Sequence, residues 1–285
     1  MSTAVAPAPA APAAPIAVDP VLVARHQEEL RVQGYTIMPR VFPRALVDEA
    51  RAVIDERITA KITIHEHADV YGEPNLVGRH RVFRDMAEHP LVLAVVEGLL
   101  GDDCILSSCN GALRRPSGGP QALHRDTGIW GPSMPWMPIP VGIQTAWCID
   151  DFTSENGATL IVPTSHARPD ASTDEPTIQA VAPAGSVIAF DAAALHAGGT
   201  NVGNALRRGV LSLYIRSWLK PQTDHKRSYP PELIASTSPT VLRLLGFCRQ
   251  SPIEHPDGRT EILRAPGASF FYGQPLEAAS STAAN

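Results

Sequence analysis

Two residues with metal-binding side chains stand one residue apart in the stretch QALHRD, residues 121–126. His124 and Asp126 occupy positions i and i+2, and a β-strand would direct both side chains to the same face of its sheet. An imidazole and a carboxylate on one face can bind a single metal ion. The same pair also arises by chance at the polar end of a strand, so a third residue is needed to indicate a metal site.

His196, in the stretch FDAAALHAGGTN, is the best third ligand. It lies at the end of the predicted strand run SVIAFD, and the chain between Asp126 and His196 is long enough for several strands to pass around a barrel and return beside the first. Two histidines and one carboxylate on one side of an ion, with the other positions open, form the facial arrangement of non-heme Fe(II) oxygenases. The three residues therefore predict an iron site.

Arg207 begins the strand RRGVLSLYI after a Gly/Asn-rich segment, which predicts a turn that brings the new strand back beside His196. Alternation places Arg207 on the same face as Leu211 and Leu213, which is an interior set. A buried guanidinium is costly unless an anion pairs with it, and a carboxylate fits its planar fork. The anion is either an internal acid in a structural ion pair or the distal carboxylate of a ligand such as 2-oxoglutarate.

The elements that must position these residues change character along the chain. Helices are predicted at residues 19–34, 43–58 and 90–101, each with apolar periodicity or capping signals. From Cys104 onward short β-rich runs alternate with Gly, Pro, Asn and Ser. The sequence predicts a mainly β protein with flanking helices, a double-stranded β-helix (jelly-roll, cupin-like) core at about 104–218 and helical or irregular chain beyond Trp218.

Composition and charge indicate which kinds of binding partner the protein has. The net charge is −5 without a run of Lys or Arg, which argues against nucleic acid and anionic membranes. The four cysteines form no C-x-x-C pair and are predicted to be reduced, buried thiols. Residues 1–19 are Ala/Pro-rich and predict a disordered tail before a single domain at 20–285. We expect a cytoplasmic protein that acts on a small molecule; the sequence leaves a homo-oligomer open.

Four motifs in order carry a resemblance to a known family: QALHRD, NGATLIVPTSH, SVIAFDAAALHAGGTN and LRRGVLSLYIRSWLKP. Together they resemble the phytanoyl-CoA dioxygenase (PhyH-like) family of Fe(II)/2-oxoglutarate-dependent oxygenases, over about residues 20–250. The resemblance implies that His124, Asp126 and His196 bind iron and that Arg207 anchors 2-oxoglutarate. It implies a dioxygenase that uses O2 to hydroxylate or otherwise oxidise a C–H bond of a small organic molecule, such as a natural-product intermediate, with release of succinate and CO2.

The resemblance also implies 2-oxoglutarate contacts for Gln121 and Thr159. Gln121 has the opposite strand parity to His124, so an inward side chain there requires a bulge, and Thr159 is equally compatible with an ordinary strand position. The sequence departs from the family at Pro163–His166, where Thr164 replaces the glycine of the usual Pro-Gly-Ser-His. Asp126 occupies the position at which related halogenases carry Gly or Ala, so we expect oxidation and not halogenation.

Substrate contacts are predicted at Trp130, Asn110 and Met137. Trp130 and Met137 belong to the Pro/Gly-rich segment TGIWGPSMPWMPIP after the metal motif, where flat aromatic and flexible thioether side chains suit an apolar substrate or ordinary packing alike. The alternative function is a non-catalytic or 2-oxoglutarate-independent metal-binding protein of the cupin type. An inward Arg207 discriminates the two, because only the oxygenase needs it.

Overall fold

A computed structural model describes residues 18–59, 70–116, 119–131, 133–247, 253–254 and 260–261. The helices within these ranges flank the strands on both sides in sequence. They are α1 (Pro20–Gln33), α2 (Arg44–Thr59), α3 (Arg81–Ala87), α4 (Pro90–Leu100), α5 (His225–Ser228), α6 (Pro231–Ala235) and α7 (Pro239–Leu244).

The strands form two antiparallel sheets that supply a common interior, together with a separate two-stranded pair. The larger sheet has the order β1-β7-β4-β9-β3-β2 and the smaller has the order β6-β5-β8. The strands are β1 (Tyr35–Met38), β2 (Val70–Glu73), β3 (Ile105–Arg114), β4 (Gly142–Cys148), β5 (Thr159–Ile161), β6 (Ile178–Ala180), β7 (Val187–Asp191), β8 (His196–Gly198), β9 (Arg207–Ile215), β10 (Ile253–Glu254) and β11 (Thr260–Glu261).

Two apolar clusters hold these layers together. One lies between the sheets, where Ile188 of the larger sheet packs with Ile161 and Ala180 of the smaller one. The other lies between the larger sheet and the helices and includes Trp147 and Tyr214. Alternate residues of the central strands therefore face the barrel interior and the helical layer, and the predicted jelly-roll with flanking helices is confirmed.

Local signals set the first helix as the sequence predicts. The side chain of Asp19 accepts a hydrogen bond from the Val21 amide at 2.9 Å, and Pro20 opens the helix. Gly34 ends it with φ of +87°, a left-handed conformation that glycine adopts without steric cost. This helix packs on α4 and β1, so its cap signals fix the edge of the helical layer.

Two expectations about strands are wrong. QALHRD is not a strand, because its β-pairing is limited to the isolated bridge of His124 to His196, and Asp126 begins a 3-10 helix that ends at Trp130. His196 does not lie at the end of β7 and forms no hairpin with β9. It opens β8 in the smaller sheet, and the chain then crosses to β9 between β3 and β4 of the larger sheet.

Three further expectations concern the cysteines, the N-terminal tail and membrane-spanning helices. Cys104, Cys109 and Cys148 are free and buried, as predicted, while Cys248 and the predicted disordered tail up to residue 17 lie outside the described residues. No helix in the described part of the chain combines the length and apolar character needed to cross a membrane.

Candidate metal centre

Backbone pairing joins the two histidines of the predicted iron site. The amide of His124 donates to the carbonyl of His196 at 3.0 Å, and the amide of His196 donates back to His124 at 3.0 Å. Their rings consequently stand side by side, with centroids 4.5 Å apart. Because β8 is itself paired with β5, this bridge attaches the QALHRD segment to the edge of the smaller sheet.

Asp126 reaches the same point although it lies on a 3-10 helix. Its Oδ1 is 3.8 Å from His124 Nε2 and 3.6 Å from His196 Nε2. The three ligating atoms all lie within 4.8 Å of one another. Atoms that each bind one ion at about 2.1 Å are at most about 4.2 Å apart, so the measured carboxylate–imidazole separations are of the size that a single metal ion requires.

Hydrogen bonds orient both imidazoles. His124 Nδ1 lies 3.0 Å from the carbonyl of Ala122, and His196 Nδ1 lies 3.0 Å from the carbonyl of Ala194. A carbonyl only accepts, so each Nδ1 carries the proton and each Nε2 presents a lone pair. Both lone pairs belong to the nitrogens that lie near Asp126, which is the tautomer and orientation of a metal-ligating histidine.

The two histidines differ in burial. The His196 side chain is 9% exposed and the His124 side chain is 46% exposed. Burial lowers the pKa of His196, an effect that the carboxylate of Asp126 opposes. His196 is therefore neutral near pH 7, which is the form that binds a metal, and the exposed side of the centre lies at His124.

Arg207 faces the barrel interior, as its parity predicts. Its guanidinium carbon lies 4.0 Å from the ring centroid of Phe152, and the residue is 5% exposed. Its Nε has no hydrogen-bond partner, and no carboxylate among the described residues forms an ion pair with it. Burial lowers the pKa of Arg207 to about 10, so the side chain is a buried cation at neutral pH.

Gln121 and Thr159 meet at β8. Gln121 is not in a strand, so the predicted bulge does not arise; its Oε1 accepts a hydrogen bond from the Gly198 amide at 2.9 Å. Thr159 is buried on β5 directly opposite Gly198. Both residues therefore lie beside β8, the strand that carries His196, and their contact with 2-oxoglutarate stays a prediction.

The three predicted substrate residues lie in different places. Trp130 packs at the end of β9 and donates from Nε1 to the Lys220 carbonyl at 3.1 Å. Asn110 lies on the inward face of β3, opposite Leu211, and its Oδ1 accepts a hydrogen bond from the Asn75 backbone amide at 3.1 Å. Met137 lines a cavity of about 430 Å³ between the helices and the chain after β7, and none of the three predicted iron ligands lines that cavity.

Arg125, between His124 and Asp126, is hydrogen-bonded to three backbone carbonyls. Its guanidinium donates to the carbonyls of Ser165 at 2.8 Å, Arg168 at 2.9 Å and Ala193. It also lies 5.1 Å from the ring centroid of Trp136. Because Arg125 lies between two predicted ligands, these contacts hold the chain that carries both. Its position between His124 and Asp126 is the sequence feature that indicates such a role.

Thr164, at the departure from Pro-Gly-Ser-His, has a left-handed backbone conformation. Thr164 adopts φ of +61° and ψ of −2°, the left-handed region that a glycine would occupy without steric cost. Ser165 then accepts from the Leu195 amide at 2.8 Å. The loop therefore still supports the residue before His196, although a β-branched side chain is strained there.

Comparison with known proteins gives one family. A profile for phytanoyl-CoA dioxygenase (PhyH) matches residues 30–209. Dioxygenase af480 of Aspergillus fumigatus is 29% identical over 240 residues, covering 78% of this chain and 76% of the fungal protein. The iron/alpha-ketoglutarate-dependent dioxygenase penM of Penicillium thymicola is 30% identical over 167 residues, covering 57% of this chain and 51% of that enzyme.

Solved structures agree on the fold. The epimerase SnoN, determined with Fe3+, alpha ketoglutarate and nogalamycin RO, has a TM-score of 0.58 at 20% identity, covering 75% of this chain and 91% of SnoN. The carbocyclase SnoK from nogalamycin biosynthesis has a TM-score of 0.57 at 18% identity, covering 68% and 83%. Both are described as non-heme alpha ketoglutarate dependent enzymes.

Proposed function

The chain belongs to the phytanoyl-CoA dioxygenase family, whose cofactors are iron and 2-oxoglutarate, and on that premise we propose that it hydroxylates an unactivated C–H bond of a small organic molecule in specialised metabolism. The overall reaction converts 2-oxoglutarate and O2 to succinate and CO2 while one oxygen atom enters the substrate. The observation that carries the proposal is a three-ligand centre in the same barrel as a buried cation, Arg207, that has no ion-pair partner among the described residues.

The ligand set fits Fe(II). His124 and His196 present Nε2 lone pairs, and Asp126 supplies one carboxylate oxygen at comparable distances. Two neutral imidazoles and one carboxylate leave the other coordination positions open for the cosubstrate and O2. The iron supplies the oxidising chemistry; the chain holds it with backbone-paired histidines and keeps their tautomers fixed.

Arg207 is the residue that fits the cosubstrate. A carboxylate of 2-oxoglutarate would satisfy the guanidinium, including the Nε that lacks a partner, in a bidentate pair. The pair would form beside Phe152 and out of water, where charge-assisted hydrogen bonds are stronger than at a surface. At this end of β8, the Gly198 amide donates to Gln121 Oε1, and Thr159 on β5 lies directly opposite Gly198.

Asp126 favours hydroxylation over halogenation. In the halogenases of related families the corresponding residue lacks a carboxylate, which leaves room for chloride on the metal. Here the carboxylate oxygen lies within 4 Å of both imidazole nitrogens. A halide would have to displace it, so the third protein position belongs to Asp126.

The alternative, a metal-binding jelly-roll without 2-oxoglutarate chemistry, accounts for the three ligands but not for Arg207. An unpaired interior guanidinium is destabilising in a protein that binds only a metal. In an oxygenase the same guanidinium has a carboxylate partner whenever the cosubstrate is bound.

Anaerobic titration of the metal-free protein with Fe(II) and then 2-oxoglutarate tests the proposal. We expect a weak visible charge-transfer band from the iron–keto-acid chelate, and in air a slow conversion of 2-oxoglutarate to succinate. Asp126→Ala should weaken Fe(II) binding, and the band with it, because one of three ligands is lost. Arg208→Gln is the control, since Arg208 pairs with Asp55 and Asp150 on the helical side of the same strand and should leave the band unchanged.

The outcomes separate the two functions. A folded protein that binds Fe(II) but shows neither band nor 2-oxoglutarate affinity would be a metal-binding jelly-roll. An Asp126→Ala variant that binds Fe(II) as tightly as the wild type would contradict the ligand set. Candidate substrates can then be screened for products 16 Da heavier that take up 18O from 18O2.

A further inference from the structure

A second buried arginine stands directly across from Arg207. Arg114, the last residue of β3, is the register partner of Arg207 on β9. Residues paired in this way project from the same face of the sheet with Cβ atoms about 5 Å apart. Arg114 is 2% exposed and Arg207 is 5% exposed, so two guanidinium groups share one wall of the barrel.

The two cations act on each other. After burial, Arg114 is the next largest cause of the lowered pKa of Arg207. Asp150 opposes this effect, but its carboxylate is hydrogen-bonded to Arg51 and Arg208 on the helical side. The positive potential at this end of the barrel therefore comes from both arginines, and an anion that enters is attracted by two charges.

Arg114 also connects the two chain segments that carry the metal ligands. Its Nη2 donates to the carbonyls of Gly119 at 2.6 Å, Gly198 at 3.1 Å and Gly199. Gly119 precedes the segment that leads to His124, whereas Gly198 and Gly199 follow His196. The two N–H groups of this one nitrogen are shared among the three carbonyls, so a single guanidinium holds both segments.

Gln121 is held at the same point. Its backbone amide donates to the Gly198 carbonyl at 3.0 Å, and its side-chain Oε1 accepts from the Gly198 backbone amide. A Cβ added to Gly198 would lie 2.9 Å from Gln121 Oε1 and 3.2 Å from Arg114 Cζ. The guanidinium and the glutamine side chain are therefore packed against β8 with no space between.

We propose that Arg114 is a specificity-determining and positioning residue of the cosubstrate pocket. It adds a second positive charge beside Arg207 and holds the Gln121 segment against β8, so that the pocket selects 2-oxo acids with a distal carboxylate over those without one. The inference rests on the proposed function, since it presupposes that a 2-oxo acid binds between the metal centre and Arg207.

Binding measurements on the Mn(II)-loaded protein without O2 test this inference, with Mn(II) as a redox-inert substitute for Fe(II). The two probes are 2-oxoglutarate and 2-oxopentanoate, which has the same carbon chain without the distal carboxylate. We expect the wild type to prefer 2-oxoglutarate. Arg114→Gln should lower the ratio of the two affinities at least about tenfold, mainly by weakening 2-oxoglutarate. Arg114→Lys keeps the charge but removes the planar guanidinium. Both acids should therefore bind more weakly, while the ratio of their affinities changes less.

Arg216→Gln is the matched control. Arg216 also donates to three backbone carbonyls, those of Pro140, Leu100 and Leu99, but on the helical side. It should lower stability and leave the ratio unchanged.

An unchanged ratio in folded Arg114→Gln overturns the inference while 2-oxoglutarate binding itself stands. If Arg114→Gln does not fold, unchanged affinities of Arg114→Lys for both acids overturn it. Absence of 2-oxoglutarate binding to the wild type removes the proposed function and this inference together.

Discussion

Replacing Arg207 with methionine should stabilise the unliganded protein and remove most of its response to 2-oxoglutarate. Burial lowers the pKa of Arg207 from 12.5 to about 10, so holding the side chain charged in the folded state costs roughly 3 kcal/mol. Its contact with the Phe152 ring returns about 1 kcal/mol. A thioether of similar length fills the same space without charge, and the expected gain in the free energy of unfolding is about 2 kcal/mol.

Cosubstrate should remove the difference in stability between the two proteins. At a 2-oxoglutarate concentration one hundred times its Kd, the wild type gains about 2.7 kcal/mol. If the loss of the charge-assisted pair weakens binding about 100-fold, the same concentration adds only about 0.4 kcal/mol to the variant. The wild type is therefore less stable than Arg207→Met without ligand, and the difference closes when ligand is bound.

Urea unfolding with and without Mn(II) and 2-oxoglutarate measures both quantities, and isothermal titration gives the Kd. Arg208→Met is the control, because Arg208 pairs with Asp55 at 2.6 Å and Asp150 at 3.0 Å on the other face of β9. It should lower stability and leave the Kd unchanged. The reasoning is refuted if Arg207→Met is less stable than the wild type without ligand and binds 2-oxoglutarate as tightly.

Three further predictions concern the surrounding chain. Thr164→Gly should raise the free energy of unfolding by about 0.5–1 kcal/mol in urea titrations, because it relieves the left-handed conformation at φ of +61° by more than glycine adds in chain entropy; a decrease would contradict this. Burial lowers the pKa of His225 to about 4. As pH falls below 6.5, the imidazole therefore becomes protonated in the unfolded chain while it stays neutral in the folded protein. The free energy of unfolding consequently falls from pH 7 to pH 5. His225→Gln should reduce that fall by up to about 2 kcal/mol, and an unchanged slope would refute the assignment. Arg125→Gln should weaken Mn(II) binding roughly tenfold in calorimetric titrations, whereas Arg216→Gln should not; equal affinities would show that the Arg125 contacts do not position the ligands.

Local signals were sufficient for some elements and insufficient for others. Asp19, Pro20 and Gly34 define α1 through contacts within a few residues, so the sequence predicted its bounds. The inward face of Arg207 followed from alternation along a nine-residue strand, which leaves no freedom once one face is apolar. The segment QALHRD differs because its only strand pairing is the single bridge of His124 to His196, a contact that no local pattern encodes.

The predicted hairpin from His196 to Arg207 was wrong for a related reason. A Gly/Asn-rich segment indicates a change of direction but not which sheet the next strand joins. Here Asn201 fixes the crossing, since its Nδ2 donates to the carbonyls of Arg114 and Ala205. The residue types of the site could be read from the sequence, whereas the side-by-side arrangement of Arg114 and Arg207 needed the register of β3 on β9.

The predicted site residues are distributed over both sheets. The smaller sheet carries His196 and, through the bridge, His124; the larger sheet carries Arg207. A ligand that binds the metal at one end and Arg207 at the other would therefore span both sheets. Arg114 lies on the larger sheet but donates to carbonyls of the smaller one. The distance between a metal ion at the three ligands and a carboxylate at Arg207 would consequently be set by hydrogen bonds across the barrel, which would give Arg114 a role that a second positive charge alone does not have.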